Sequence, residues 1–93
     1  MNTARLKSLI KTITQNGCIQ FSRHCRKKMP ERNVTTDDFL NVLSWGEIVR
    51  FEENNNNRNF KCEMKGLNTD GDELTLQISV SQQNMSILCI TVY

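Results

Sequence analysis

Hydrophobic residues near the start of the chain recur at the spacing of an α-helix. The segment MNTARLKSLIKTITQNG places apolar side chains at intervals of three and four, at Leu6, Leu9, Ile10 and Ile13. This spacing predicts an amphipathic helix with one buried face. We expect Thr3 to cap its start, and Asn16-Gly17 to end it because glycine tolerates the left-handed conformation common after helices.

A short strand, CIQF, and a second helix are predicted next. Ser22 is the expected N-cap of this helix, which would begin at Arg23. Pro30 lacks an amide hydrogen and its ring collides with the preceding helical turn. We therefore expect a kink or an end near Met29.

The segment VTTDDFLNVLSWGE predicts a third helix. Thr35 and Asp38 have the spacing of a capping box, with Asp in place of Glu. Phe39, Val42 and Leu43 would form its buried stripe, and Gly46 would end it. Trp45 is expected to pack in the core or at a hinge.

From Glu47 onward the hydrophobic period changes to two, which is typical of half-buried strands. The predicted strands are EIVRFEE, NFKCEMKG, ELTLQISVS and MSILCITVY, joined by a polar loop, NNNNR, and by the turns NTDGD and QQN. The last strand is apolar on both faces, which predicts a central strand covered on both sides.

These elements predict one α+β domain over residues 1–93. Its N-terminal helices would pack on one face of a mostly antiparallel four- to five-stranded sheet. The other face is expected to be wetter, because it would carry Lys61, Glu63, Lys65, Thr75, Gln77 and Ser79.

Composition narrows the classes of protein that the chain could belong to. No apolar run approaches the ~20 residues that a membrane helix needs, and the N-terminal segment is too polar for a secretory leader. We therefore expect a cytoplasmic protein with no membrane contact. Without a C-x-x-C pair and with one histidine, we expect no metal site and no cofactor. The cysteines are interpreted as buried small hydrophobes: Cys18, Cys25, Cys62 and Cys89.

The net charge of +2 hides a local basic cluster in QFSRHCRKKMPER, residues 20–32. His24, Lys28 and Arg32 are spaced four apart, so a helix would carry them along one face. Such a cluster of like charges is consistent with an anionic partner. The cluster also contains Arg23, Arg26 and Lys27, and one acid, Glu31.

Two interpretations of this cluster stay open on the residues alone. In the first interpretation, the helix face is solvated and His24 bonds to backbone carbonyls. The arginines then pair with acidic residues elsewhere in the chain: Glu47, Glu52, Glu53 or Glu63. Alternatively, His24 acts as an acid or base near neutral pH, and Lys28 or Arg32 stabilises charge on a phosphate.

From Phe21 onward the chain resembles a bacterial domain-of-unknown-function family, number 4258. The family pattern has the core H-x-x-x-[RK]-M-x-x-R, and helix formers are usual where this chain has Pro30. The matching residues are Ser22, His24, Lys28, Met29, Arg32, Val34, Thr35 and Asp38, then Gly46-Glu47-Ile48 and ITVY at 90–93.

That family is similar to the MqsR-, BrnT- and RelE/ParE-like toxins of type II toxin–antitoxin systems. The resemblance implies a RelE/ParE-like fold, and a metal-independent ribonuclease that acts on mRNA and is held inactive by an antitoxin protein. The catalytic candidates are then His24, Lys28, Arg32 and Tyr93, and the candidates for RNA binding are Arg23, Arg26, Lys27 and Lys61. One alternative is a module that binds nucleic acid or an acidic protein without catalysis. A weaker one is a structural role, in which His24 and Arg32 lock the helix to the sheet through glutamates.

Overall fold

The computed structural model describes residues 1–54 and 59–93. Its helices are α1 (Thr3–Asn16), α2 (Arg23–Glu31) and α3 (Thr36–Trp45). Its strands are β1 (Cys18–Phe21), β2 (Glu47–Asn54), β3 (Asn59–Leu67), β4 (Glu73–Ser81) and β5 (Ser86–Val92). Most of the predicted NNNNR loop, residues 55–58, lies outside the described residues.

The strands form one sheet in the order β1-β5-β4-β3-β2. β2 to β5 are antiparallel neighbours, as consecutive hairpins require, and β1 joins β5 in parallel. The predicted α+β fold, with the helices on one face of a mostly antiparallel sheet, is confirmed. β5 is an interior strand, but the prediction that it is covered on both sides is wrong. Leu88 is 39% exposed because the helices cover only the opposite face.

The core lies between the helices and the inner face of the sheet. The predicted alternation of β3 and β4 is confirmed, since their inward residues are buried while Lys61 stays exposed. Phe21 and Phe39 meet edge to face with ring centroids 5.2 Å apart, which joins β1 to α3. The largest fully buried side chains are Phe39, Phe60, Leu6, Ile10, Ile13, Leu43, Met64, Leu76, Ile78, Ile87, Val42 and Val80.

The ends of α1 differ from the expectation in their detail. Asn2, not Thr3, is the N-cap, because its Oδ1 accepts the Arg5 amide at 2.8 Å. The helix ends at Asn16 as predicted, but Gly17 has φ −101° and is not left-handed. Glycine is needed there for a different reason. A Cβ would press against the carbonyl oxygen of Met85 in the β4–β5 turn.

α2 runs through Pro30 and ends at Glu31, two residues beyond Met29 and so close to the expected end. Pro30 lies in the last turn, where it removes the one helical bond that its missing amide hydrogen would donate to the Arg26 carbonyl. A Schellman motif then closes the helix. Val34 donates its amide to the Met29 carbonyl at 2.8 Å, and Asn33 donates to the Pro30 carbonyl at 3.3 Å. Asn33 supplies the left-handed residue, with φ 57°.

The predicted capping box of α3 is present. Thr35 Oγ1 accepts the Asp38 amide at 3.2 Å, and Asp38 Oδ2 accepts the Thr35 amide at 2.9 Å. Asp38 Oδ1 also accepts the Thr69 amide at 2.9 Å and the Thr69 hydroxyl at 2.8 Å. The carboxylate thus joins the start of α3 to the β3–β4 turn. These bonds, led by the one from the Thr69 amide, lower the pKa of Asp38 to about 2.

The burial predictions for Trp45 and Cys18 are also wrong. Trp45 is 72% exposed, with Lys11 Nζ 4.8 Å from its ring centroid. A step of about 100° per residue puts Trp45 about 120° around α3 from Phe39, away from the core. Cys18 is exposed because it alternates with the inward residues of β1, whereas the other three cysteines are buried as predicted.

Candidate functional site

α2 is attached to the sheet through Ser22. β1 pairs with β5 only as far as Phe21, and α2 then packs beside the rest of β5. Ser22 Oγ accepts the Cys25 amide at 3.0 Å and donates to the Ile90 carbonyl at 3.0 Å. Ser22 therefore caps the helix, as predicted, and fixes its first turn against β5, with Cys25 buried beneath.

His24 lies where α2 meets the side of the sheet that carries no helix. Its Nε2 is 3.2 Å from Thr91 Oγ1, and the residue is exposed. Thr91 pairs with Gln77 in the sheet, and both point away from the helices. The hydrogen bonds of the described residues include none from the His24 ring to a backbone carbonyl. His24 therefore borders what we call the open face, defined by Arg50, Lys61, Glu63, Gln77, Thr91 and Tyr93.

The basic residues of α2 lack acidic partners among the residues that the structure describes. Among residues 1–54 and 59–93, no ion pair includes a side chain of the cluster. The acids proposed to pair with it lie elsewhere: Glu47 pairs with Lys7, and Glu63 with Arg50. Lys28 is half-buried one turn after His24, while Arg32 is exposed and follows the helix as its C-cap. Exposed side chains of the same cluster are those of Arg23, Arg26 and Lys27.

Four side chains form a hydrogen-bonded group across the open face. Tyr93 donates its hydroxyl to Glu63 Oε1 at 2.8 Å, and Arg50 Nη2 donates to the same oxygen at 3.3 Å. Gln77 Nε2 donates to the Tyr93 hydroxyl at 3.2 Å. The sheet register sets this arrangement, because Glu63 lies opposite both Arg50 and Gln77.

The group also sets the charge states of its members. The hydrogen bond from Tyr93 lowers the pKa of Glu63, and the nearby Arg50 charge lowers it further. The same bond to Glu63 raises the pKa of Tyr93. At neutral pH Glu63 is therefore an anion and Tyr93 a protonated phenol.

A depression of about 510 Å³ lies on this face. Its lining includes Arg50, Lys61, Glu63, Gln77 and Ile90. The volume is within the range of small-molecule sites. Lys61, predicted only as a supplementary cation, also lines a neighbouring depression of about 270 Å³.

Residues 21–93 match the family described as Domain of unknown function (DUF4258). The chain belongs to the DUF4258 family. The match includes α2, α3 and β2 to β5, and with them the basic cluster and the open face, whereas α1 precedes it. No curated protein and no solved structure matches the chain. The family resemblance is thus confirmed, and the likeness to toxins stays a prediction.

In this DUF4258 chain, sequence reasoning missed much of the open-face group. Alternation placed Glu63 and Gln77 on the wetter face, which was the available signal, but Glu63 was considered only as an ion-pair partner of the basic helix and Gln77 was given no role. The positions of Arg50 and Thr91 depend on bulges next to them in β2 and between β4 and β5. Thr75, expected on the wetter face, is only 8% exposed.

The described part of the chain holds no group of three or more His, Cys, Asp or Glu residues arranged to bind a metal ion. It also holds no helix with the length and apolar character needed to span a membrane.

Proposed function

We propose that this chain is a toxin-like protein of a type II toxin–antitoxin system that cleaves messenger RNA without a metal ion. One observation carries the proposal. The accessible His24 lies at the border between a basic helix, which forms no ion pair with the described residues, and an open face that carries Tyr93. An acid–base group beside cations is the arrangement that metal-independent phosphodiester cleavage requires.

The proposed reaction is an internal displacement at phosphorus. The ribose 2′-oxygen forms a bond to the adjacent phosphorus, the bond to the 5′-oxygen breaks, and the products are a 2′,3′-cyclic phosphate and a 5′-hydroxyl. His24 removes the 2′-hydroxyl proton or protonates the leaving oxygen, and Tyr93 is the candidate partner. Thr91 and Tyr93 are two residues apart on one strand face, about 7 Å, so groups beside them can act on one phosphodiester.

The cations have a different task, which is to hold phosphates. Lys28, one turn from His24, and Arg32 are the candidates for the reacting phosphate, where charge increases in the transition state. Supplementary contacts to flanking phosphates would come from Arg23, Arg26, Lys27 and Lys61. Because these contacts displace counterions, binding should weaken steeply as salt increases.

The test is a cleavage assay with the purified chain and a defined RNA in EDTA. His24→Ala should lower the cleavage rate by about 10²-fold or more, the usual contribution of an acid–base group. Arg5→Ala is the charge-matched control for Arg32→Ala, because Arg5 is an exposed, positively charged residue of α1, on the side of the sheet that the helices cover. RNA that stays intact with the wild-type chain would refute the proposal.

The second candidate is a module that binds nucleic acid or an acidic protein without cutting. It is favoured by the hydrogen bonds that already engage both reactive groups, His24 with Thr91 and Tyr93 with Glu63. Both candidates predict salt-dependent binding, so turnover separates them.

A cognate antitoxin is part of the first candidate. An adjacent small reading frame whose product binds the chain and relieves growth arrest would support it.

A further inference from the structure

The depression on the open face has a chemical character distinct from that of the basic helix. It places two carboxylates (Glu52 and Glu63), an amide and two cations around an apolar patch at Ile90. Phosphate binding alone would not call for the carboxylate of Glu63, which repels RNA. Although Glu63 already accepts from Tyr93 and Arg50, its carboxylate in the lining favours a ligand that carries hydrogen-bond donors of its own.

Two residues of this lining, Glu63 and Gln77, carry possible acceptors. Both bonds that Glu63 accepts from Tyr93 and Arg50 use Oε1, which leaves Oε2 outside them. Gln77 donates through Nε2, so its amide oxygen remains an acceptor. Glu63 and Gln77 lie directly opposite each other on adjacent strands, so their side chains are neighbours.

The depression also contains hydrogen-bond donors, which are needed to bind the acceptor atoms of a base. Arg50 and Lys61 line the same depression, and both are exposed. Among nucleobases, guanine has two adjacent donors, N1–H and N2–H, beside the acceptors O6 and N7. Arginine and lysine are the usual partners of that O6 and N7 pair. The other three bases lack two adjacent donors on one edge.

We propose that the depression binds a guanine base, with Glu63 and Gln77 accepting from N1–H and N2–H and with Arg50 or Lys61 donating to O6 or N7. Ile90 would contact the base plane. This inference rests on the proposed function, since it gives the RNA-cleaving face its base preference. Glu63 is then a specificity-determining residue.

Binding is measured without any cleavage step, by NMR titration of the isotope-labelled chain with GMP, AMP, CMP and UMP. GMP should bind at least about tenfold more tightly than the other three, the lower range of a good bidentate base contact. Shifts should centre on Glu63, Gln77 and Ile90. Equal affinities for all four nucleotides, or shifts confined to α2, would overturn the inference.

Glu63→Gln keeps the shape of the side chain and removes its charge, so it should abolish the preference for GMP. Glu73→Gln is the control, because it makes the same charge change on the sheet away from the depression. Gln77→Ala is a second variant that leaves the Arg50–Glu63 pair in place and should also weaken GMP binding. Equal GMP affinity in the Glu63 and Glu73 variants refutes the site.

The two proposals can fail separately. GMP-selective binding by a chain that leaves RNA intact would support the base site and refute the ribonuclease. RNA cleavage without any preference for GMP would refute the base site and support the ribonuclease.

Discussion

Neutralising the Asp38 carboxylate should weaken the hydrogen bonds that connect α3 to the β3–β4 turn and so lower the free energy of unfolding. The group is only 4% exposed and accepts bonds from two backbone amides and one hydroxyl. These bonds lower its pKa from 3.8 to about 2. At about 1.4 kcal/mol per pKa unit, the ionised form contributes about 2 kcal/mol to folding.

The direction of the pH effect follows from the lowered pKa. Because the folded-state value lies below that of the unfolded chain, the stabilisation is complete above about pH 4 and is lost as pH falls towards about 2. Asp38→Asn should therefore unfold in urea with about 2 kcal/mol less free energy than wild type at pH 7. By pH 3 the difference should shrink to about 1 kcal/mol.

The matched control is Asp70→Asn, which removes an exposed carboxylate from the same turn. It should change the free energy of unfolding by less than about 0.5 kcal/mol at either pH. A difference between wild type and Asp38→Asn that is the same at pH 7 and pH 3 would refute the reasoning.

Three further predictions concern accessibility and packing. Cys18 should react with a thiol reagent in the folded chain, whereas Cys62 and Cys89, whose pKa burial raises to about 12, should react only on unfolding. Gly17→Ala should lower the thermal midpoint, with a loss of about 1 kcal/mol or more, because its Cβ would press on a carbonyl oxygen of the β4–β5 turn. His24→Ala should cost less than about 0.5 kcal/mol in urea unfolding, and a loss above about 2 kcal/mol would indicate a structural role.

The helices and strands were predictable because their apolar spacing reflects one buried face each. The same alternation placed Glu63 and Gln77 on the side away from the helices. The prediction that Trp45 is buried was wrong. It relied on the hydrophobicity of the side chain, whereas the position of Trp45 around α3 points it away from the core. The end of α2 was predictable from Pro30 to within two residues, and a Schellman motif closes the helix there.

The site was less predictable than the fold. Spacing indicated the basic face of α2, but the absence of acidic partners among the described residues depends on where the glutamates lie in three dimensions. The contact of His24 with Thr91 joins residues 67 positions apart. The group around Glu63 depends on strand register and bulges, which alternation alone does not specify.

The most direct measurement is the chemical analysis of RNA fragments made by the purified chain in the presence of EDTA. The account predicts fragments that end in a 2′,3′-cyclic phosphate and begin with a 5′-hydroxyl, formed by wild type and Arg5→Ala and lost in His24→Ala. Intact RNA, or equal cleavage by wild type and His24→Ala, would contradict it.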